Sequence, residues 1–323
     1  MNRPAIDTRA VDLRPQVDRP PSGNNTDETV RPAKRDASRF EPRIRQRRLI
    51  GSAFAILCLF ATLVGILVLA TLLVDIVRDG WHRLTPQFLD SIPSRIASRA
   101  GIKPALVGSA WTLGLTALIA FPLGVGTAIW LEEYAPDNRL TRIIETNIAN
   151  LAGVPSIVYG ILGLALFVRA FALGRSILAA ALTLALLILP VIIIASQEAV
   201  KAVPNSFRLG AFALGATRWE AIRFHVLPLA LPGILTGTIL ALSRAIGEAA
   251  PVILVGALAF IPFVPSGPMD QYTVVPFQIY AWVSKPQQAF LELAAAASIV
   301  LMVLLLTMNA AAIYLRNRFS RKY

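Results

Sequence analysis

Cysteine occurs once in this 323-residue chain and histidine twice, and only 15% of its residues are charged. A single thiol, Cys58, excludes an internal disulfide, and its place inside an apolar run assigns it to packing. No Gly-x-x-x-x-Gly-Lys-Ser/Thr phosphate loop is present, so the chain does not itself hydrolyse ATP in the manner of P-loop proteins. The shortage of charge also places the composition outside the usual soluble range.

What the chain has instead is apolar length. Hydrophobic residues make up 55% of the sequence, and they fall in long runs with few charges between them. A helix needs about 20 such residues to cross a bilayer core. Backbone groups in lipid must be bonded internally, so these runs are expected as helices. The pattern predicts an all-α integral membrane protein with six transmembrane helices, at 50–74, 105–131, 149–169, 176–196, 229–259 and 292–315. The first run is too long for the apolar part of a signal peptide and lacks a small-residue cleavage site.

The formal net charge is +12, and by amount alone it suggests nucleic acid. Its placement points to the membrane surface. Arg43, Arg45, Arg47 and Arg48 precede the first run, and Arg316, Arg318, Arg321 and Lys322 follow the last. By the positive-inside rule both termini are cytoplasmic, which an even number of spans requires. Segments 75–104 and 261–290 then face outward, although the former carries Arg78, Arg83, Arg95, Arg99 and Lys103 against the rule. Both contain prolines and aromatics, fitting either interfacial anchors or docking surfaces for an outside partner. His82 and His225 fall on opposite sides of the membrane, so no shared metal site is expected.

Residues 1–49 read as a disordered, basic cytoplasmic tail. Its Arg-rich end would be held to anionic lipid at roughly 1 kcal/mol per basic residue. Residues 50–104 comprise the first span and an outer loop, 105–315 a core, and 316–323 a basic cytoplasmic end. Within the core, the cytoplasmic loop 197–228 is the most informative stretch. After Pro204, Ser206 is placed to cap a short helix that carries Phe207, Ala211 and Leu214 on one face. Gly215 suits its C-terminal turn. Thr217 and Glu220 have the spacing of a capping box opening a second helix, and Pro228 is expected to separate that helix from the fifth span. Two short helices with an apolar knob, or an amphipathic loop resting on headgroups, fit this pattern equally well.

These residues carry a resemblance. The loop is similar to the cytoplasmic coupling loop of ABC-importer permeases, written Glu-Ala-Ala, three residues, Gly, nine residues, Ile, one residue, Leu-Pro. Gly215 and Leu227-Pro228 match it, whereas Leu209-Gly210-Ala211 replaces the first triplet and His225 the isoleucine. The resemblance continues through Leu151–Gly160, Leu189-Pro190 and Ala241–Pro251, and covers roughly residues 50–318. As a set these motifs resemble the A-type permease subunits of bacterial phosphate-specific importers. The resemblance implies the bundle of type I ABC-importer permeases in a bacterial plasma membrane. The partners it implies are a C-type second permease, an ATPase dimer that binds the ATP and Mg, and an extracytoplasmic phosphate-binding protein. It implies no cofactor in this chain, no nucleic-acid partner, and lipid around the helices. It also implies that Phe207, Ala211, Leu214, Gly215 and Pro228 form the ATPase coupling surface.

Arg244 and Glu248 are the only ionisable residues away from the ends of a predicted span. A charge at a helix centre costs about 2.5–3.5 kcal/mol on insertion scales, so the pair should not face lipid. Four residues apart, they share one helix face. Either they neutralise each other and lock neighbouring helices, or they line a hydrated path. Packed apolar residues would serve the first role without desolvation, which favours the second. A guanidinium fork matches phosphate oxygens, and a carboxylate can accept the O–H of protonated phosphate, which sulfate lacks at neutral pH. Phosphate itself is what the resemblance implies. A permease for phosphonate or molybdate, and a membrane scaffold or sensor of a phosphate-responsive signalling system, are the alternative readings. Gly233 and Gly237 form a Gly-x-x-x-Gly pair suited to close helix approach. Pro122, Pro155, Pro190 and Pro251 are expected to interrupt their helices.

Overall fold

A computed structural model describes residues 44–319 of the chain, with some side chains near both ends left out. The tail expectation for 1–43 and the last basic residues, 320–323, lie outside the described residues. Contacts divide the chain into two units, residues 1–62 and 63–323, and the helical bundle belongs to the second.

Among the described residues all regular secondary structure is helical. α1 runs Ile44–Gly80, α2 Pro86–Asp90, α3 Lys103–Ile129, α4 Arg139–Ala152, α5 Ser156–Gly163 and α6 Ile177–Lys201. α7 follows at Asn205–Ala213, α8 at Arg218–Ala221, α9 at Leu227–Gly247, α10 at Ala250–Val255, α11 at Val275–Val283 and α12 at Gln288–Phe319. Turns of π-helix, each a local widening that admits an extra residue, follow α3 (Trp130–Tyr134), α5 (Leu164–Ala170) and α8 (Ile222–Val226).

Among the described residues, five helical stretches are long and apolar enough to cross a bilayer, namely Ile50–Arg83, Lys103–Tyr134, Ile177–Lys201, Arg218–Gly247 and Gln288–Ala311. The third predicted span, 149–169, is not one straight helix. Arg139–Ala152 and Ser156–Ala170 meet at an angle of 101° and together are long and apolar enough for a sixth crossing, as a broken span or a re-entrant loop. The cause is Pro155, which has no N–H for the Leu151 carbonyl and whose ring would clash with it. That carbonyl accepts the Tyr159 hydroxyl instead, at 2.8 Å.

α6 is the axis of the bundle, with 67% of its most apolar stretch buried. It packs against α3, α4, α5, α9 and α10, and Ile177, Leu184, Ile188 and Ile192 sit in the largest apolar core. The approach of α9 is close because of its glycines. A Cβ at Gly233 would lie 2.7 Å from that of Ala199, and one at Gly237 only 2.3 Å from that of Ala195. Pro122 and Pro190 stay inside continuous helices, so they do not interrupt them as expected. On α1, the apolar residues from Leu63 to Val74 are exposed, a surface that demands lipid or protein cover. Cys58, in the first unit, is likewise exposed rather than packed.

The two segments expected to face outward share a core. Phe88, Ile102, Val275, Trp282 and Phe290 are buried together, and the rings of Phe88 and Trp282 lie 6.0 Å apart. Arg83 pairs with Glu292 at 2.8 Å and Lys103 with Asp90 at 2.7 Å, so two of the cations that offended the charge rule have acidic partners. At the opposite end of α3, the turn Trp130–Tyr134 meets the 197–228 loop.

Candidate functional site

Arg244 and Glu248 lie where the fifth span breaks, not in an unbroken helix over 229–259. Pro251 cannot donate to the Gly247 carbonyl and crowds it, and α9 accordingly ends at Gly247. Glu248 is in extended conformation (φ −81°, ψ 99°), and α10 begins two residues later. Arg244 thus occupies the last turn of α9 and Glu248 its C-cap. The two side chains do meet, Arg244 Nε donating to Glu248 Oε1 at a long 3.4 Å. Their exposures differ usefully, since the Arg244 side chain is 52% exposed and that of Glu248 only 20%.

Glu248 lines a small cleft with Ser109, Thr112, Leu113, Leu184, Ala245, Ile246, Val252 and Val274. Its volume of about 20 Å³ has room for roughly one water molecule. Val274 covers the cleft from a segment anchored by Val275 N–H donating to Ser109 Oγ at 2.9 Å. A carboxylate, two hydroxyl residues and an adjacent half-exposed guanidinium therefore meet at a helix break in the bundle interior. Such broken helices expose backbone and side-chain polar groups where a solute passes.

The coupling-loop residues are partly as expected. Gly215 has φ +84°, the left-handed conformation that glycine adopts without strain. Ala216 N–H bonds the Ala211 carbonyl at 3.1 Å and Gly215 N–H that of Phe212 at 3.0 Å, the two bonds of a Schellman turn. Thr217 and Glu220 form the capping box, with Glu220 N–H donating to Thr217 Oγ1 and Thr217 N–H to Glu220 Oε2.

Three expectations for this loop fail. α7 starts at Asn205 directly after Pro204 without a side-chain cap, so Ser206 is not the capping residue. Phe207, Ala211 and Leu214 do not share an outward face, because Ala211 is 3% exposed and packs inward while Leu214 is 89% exposed. The helix ends at Ala213, and Leu214 swings out with the turn. Phe207, Leu209, Phe212 and Leu214 are the exposed apolar residues of α7 and its closing turn. Finally, Pro228 does not separate α8 from the fifth span. The π turn Ile222–Val226 absorbs the missing N–H, and Arg218–Gly247 continues as one helical stretch.

Sequence reasoning missed Arg208. Its Nη2 and Nε both donate to Glu133 Oε1, at 2.7 and 3.0 Å, and its guanidinium also reaches the Val200 and Val203 carbonyls. The available signal was Glu132-Glu133 closing an apolar run, a pair of acids that needs a partner if buried.

Residues 120–321 match the family described as binding-protein-dependent transport system inner membrane component. The chain is 32% identical over 291 residues to the phosphate transport system permease protein PstA 1 of Mycobacterium tuberculosis (strain CDC 1551 / Oshkosh), covering 88% of this chain and 94% of that one. It is 34% identical over 259 residues to the probable ABC transporter permease protein YqgI of Bacillus subtilis (strain 168), covering 76% and 88% respectively. Among solved structures it resembles a chain of a bacterial alginate ABC transporter in complex with alginate pentasaccharide-bound periplasmic protein. That likeness has a TM-score of 0.61 at 14% identity over 87% of this chain and 98% of the other. A chain of the inward-facing MetNI methionine ABC transporter aligns with a TM-score of 0.55 at 19% identity, over 66% and 95%. At these identities the likeness is one of fold.

Proposed function

Because the chain belongs to the family of binding-protein-dependent transport system inner membrane components, we propose that it is a permease subunit of an ATP-driven importer of inorganic phosphate. It pairs with a second permease to enclose the path, takes its energy from a separate ATPase dimer that holds ATP and Mg, and receives solute from an extracytoplasmic phosphate-binding protein. Both termini lie in the cytoplasm of a bacterial cell, and lipid surrounds the bundle.

The observation that carries this reading is the pairing of Arg244 and Glu248 at the break between α9 and α10. Charge held at a helix break in an apolar bundle marks a hydrated route. The identity of the solute is supported by relatives named as phosphate permeases, at 32% identity over most of their length. The chemistry agrees, since Arg244 supplies a fork for phosphate oxygens and Glu248 an acceptor for a phosphate proton. Phe207, Leu209, Phe212 and Leu214 present the apolar surface to the ATPase, with Gly215 shaping the turn behind them.

Phosphate uptake by Arg244→Ala in cells lacking other phosphate importers is the direct test. Most of the uptake rate should be lost while the protein still inserts and assembles. Normal uptake would assign the pair a structural role and move selection to the partner permease.

A further inference from the structure

Three consecutive residues in the turn that ends α3 each hold a different helix end. Glu132 Oε2 lies 3.6 Å from Lys201 Nζ at the end of α6. Glu133 accepts both bonds from Arg208 on α7, and the two side chains are only 9% and 16% exposed. The ring of Tyr134 lies under the guanidinium of Arg218, the first residue of α8, at 5.3 Å. Successive side chains leave a helix roughly 100° apart, which is how one short segment reaches three partners.

Arg208 is the most connected of these groups. Beyond Glu133 it donates through Nη1 to the Val203 carbonyl at 2.8 Å and through Nη2 to that of Val200 at 3.1 Å. One planar guanidinium therefore fastens α7, the last turn of α6 and the end of α3 to one another. A cavity of about 550 Å³ lies beside these bonds, lined by Asn205, Arg208 and Phe212 of α7 together with Glu132 and Glu133. On that side, hydrogen bonds and not packed side chains span the gap. Two donors of one planar guanidinium converge on the single oxygen Glu133 Oε1, a charge-assisted contact that fixes their separation more tightly than an apolar contact would.

We infer that Glu133 and Arg208 are positioning residues that pass displacement of α7 and α8 to α3, with the Trp130–Tyr134 turn as the part that receives it. The inference rests on the transport reading for the origin of the movement, an ATPase seated under α7 and α8. Neither residue touches solute. Their effect is on how much solute moves for each ATP hydrolysed.

The test uses the whole complex in lipid nanodiscs and proteoliposomes, with Cys58→Ser and nitroxide labels on Leu123→Cys in α3 and Leu306→Cys in α12. The distance between labels is measured with ADP and with a non-hydrolysable ATP analogue. Phosphate uptake per ATP hydrolysed is measured on the unlabelled complex. Glu133→Gln with Arg208→Met removes the charges as a pair and retains volume, so no lone charge is left buried. Arg208→Lys, which keeps the charge but loses the fork, is the second variant should the first fail to assemble.

The parent should show a nucleotide-dependent shift between the labels. In the double variant that shift should shrink, and phosphate moved per ATP should fall by about tenfold, within the range for residues that carry coupling, while the ATPase still co-purifies. Arg208→Lys should fall between the two. A parent distance indifferent to nucleotide, or variants with the parent's shift and the parent's transport ratio, would overturn the inference. If the parent shifts with nucleotide and the variants do not, yet the parent carries no phosphate, the phosphate reading fails and the positioning role stands.

Discussion

Arg244 and Glu248 differ in exposure, 52% against 20%, and on the proposed phosphate path that difference suggests a different step for each. On that proposal half-exposed Arg244 is the group that meets the anion first, and a fixed charge partly withdrawn from water acts more strongly than one in bulk solvent. Arg244→Lys should restore only part of the uptake lost in Arg244→Ala, because a point charge replaces the fork. Glu248, which lines one small cleft with Ser109 and Thr112, is on the same proposal the acceptor for a phosphate proton. In a complex altered to transport without its binding protein, Glu248→Gln should raise competition by sulfate more than it lowers phosphate uptake. Unchanged competition would remove Glu248 from selection. Hydropathy alone was enough to find this pair, because a charge inside an apolar run is costly wherever the backbone goes. The helix break that places it came from Pro251, four residues beyond the last helical carbonyl, and the apolar run masked that break.

A second residue-level expectation concerns the outer loop. The amides of Ser266 and Gly267, with the Ser266 hydroxyl, donate to Asp270 Oδ2 at 2.7, 2.9 and 3.0 Å. These donors hold the Asp270 carboxyl below its usual 3.8. They favour the charged form, so the loop gains its full stabilisation above the unfolded carboxyl's value and loses it only as pH falls through the lower folded value. Protection of the Ser266 and Gly267 amides, corrected for intrinsic exchange, should therefore stay level from about pH 7 to about pH 5 and drop in stronger acid. Asp270→Asn should lower protection across the neutral range. Equal protection in the two proteins would show that the turn holds without the carboxylate.

Among the elements, the loop of α7 and α8 shows which features local sequence determines. Gly215 and the Thr217–Glu220 box were legible because a turn's chemistry is written in its own residues. The face of α7 was not, because it depends on where the helix stops and on a partner, Glu133, from a distant segment. A charge at Ala211 would disrupt the loop's own packing, whereas Leu214→Glu places one on the exposed tip. Leu214→Glu should abolish co-purification of the ATPase with insertion intact, and normal binding would return the loop to the lipid surface. Gly215→Val should weaken the same interaction. A β-branched residue at φ +84° costs roughly 1–2 kcal/mol or more, so the turn should open and complex recovery fall several-fold. The π turn ahead of Pro228 and the 101° bend at Pro155 share one lesson. Proline position was readable, but whether a missing N–H becomes a bulge, a break or nothing is decided by neighbouring helices.

At the scale of the whole molecule, the length of α3 separates the loops of the bundle into two ends. At one end, residues of 75–104 and 261–290 bury Phe88, Ile102 and Trp282 together. At the other, Glu133 and Tyr134 meet Arg208 and Arg218. The two ends must therefore lie on opposite sides of the membrane, and labelling one residue at each decides the orientation. Asp270 is a poor choice because its carboxylate holds the loop, whereas neighbouring Met269 is 57% exposed. Asn205 opens α7 at the other end and is exposed. In a Cys58→Ala background, an impermeant thiol reagent applied to intact cells should modify Met269→Cys and spare Asn205→Cys until the membrane is made leaky. The opposite labelling pattern would turn the bundle over, place α7 and α8 outside the cell, and leave no surface of this loop for a cytoplasmic ATPase to move.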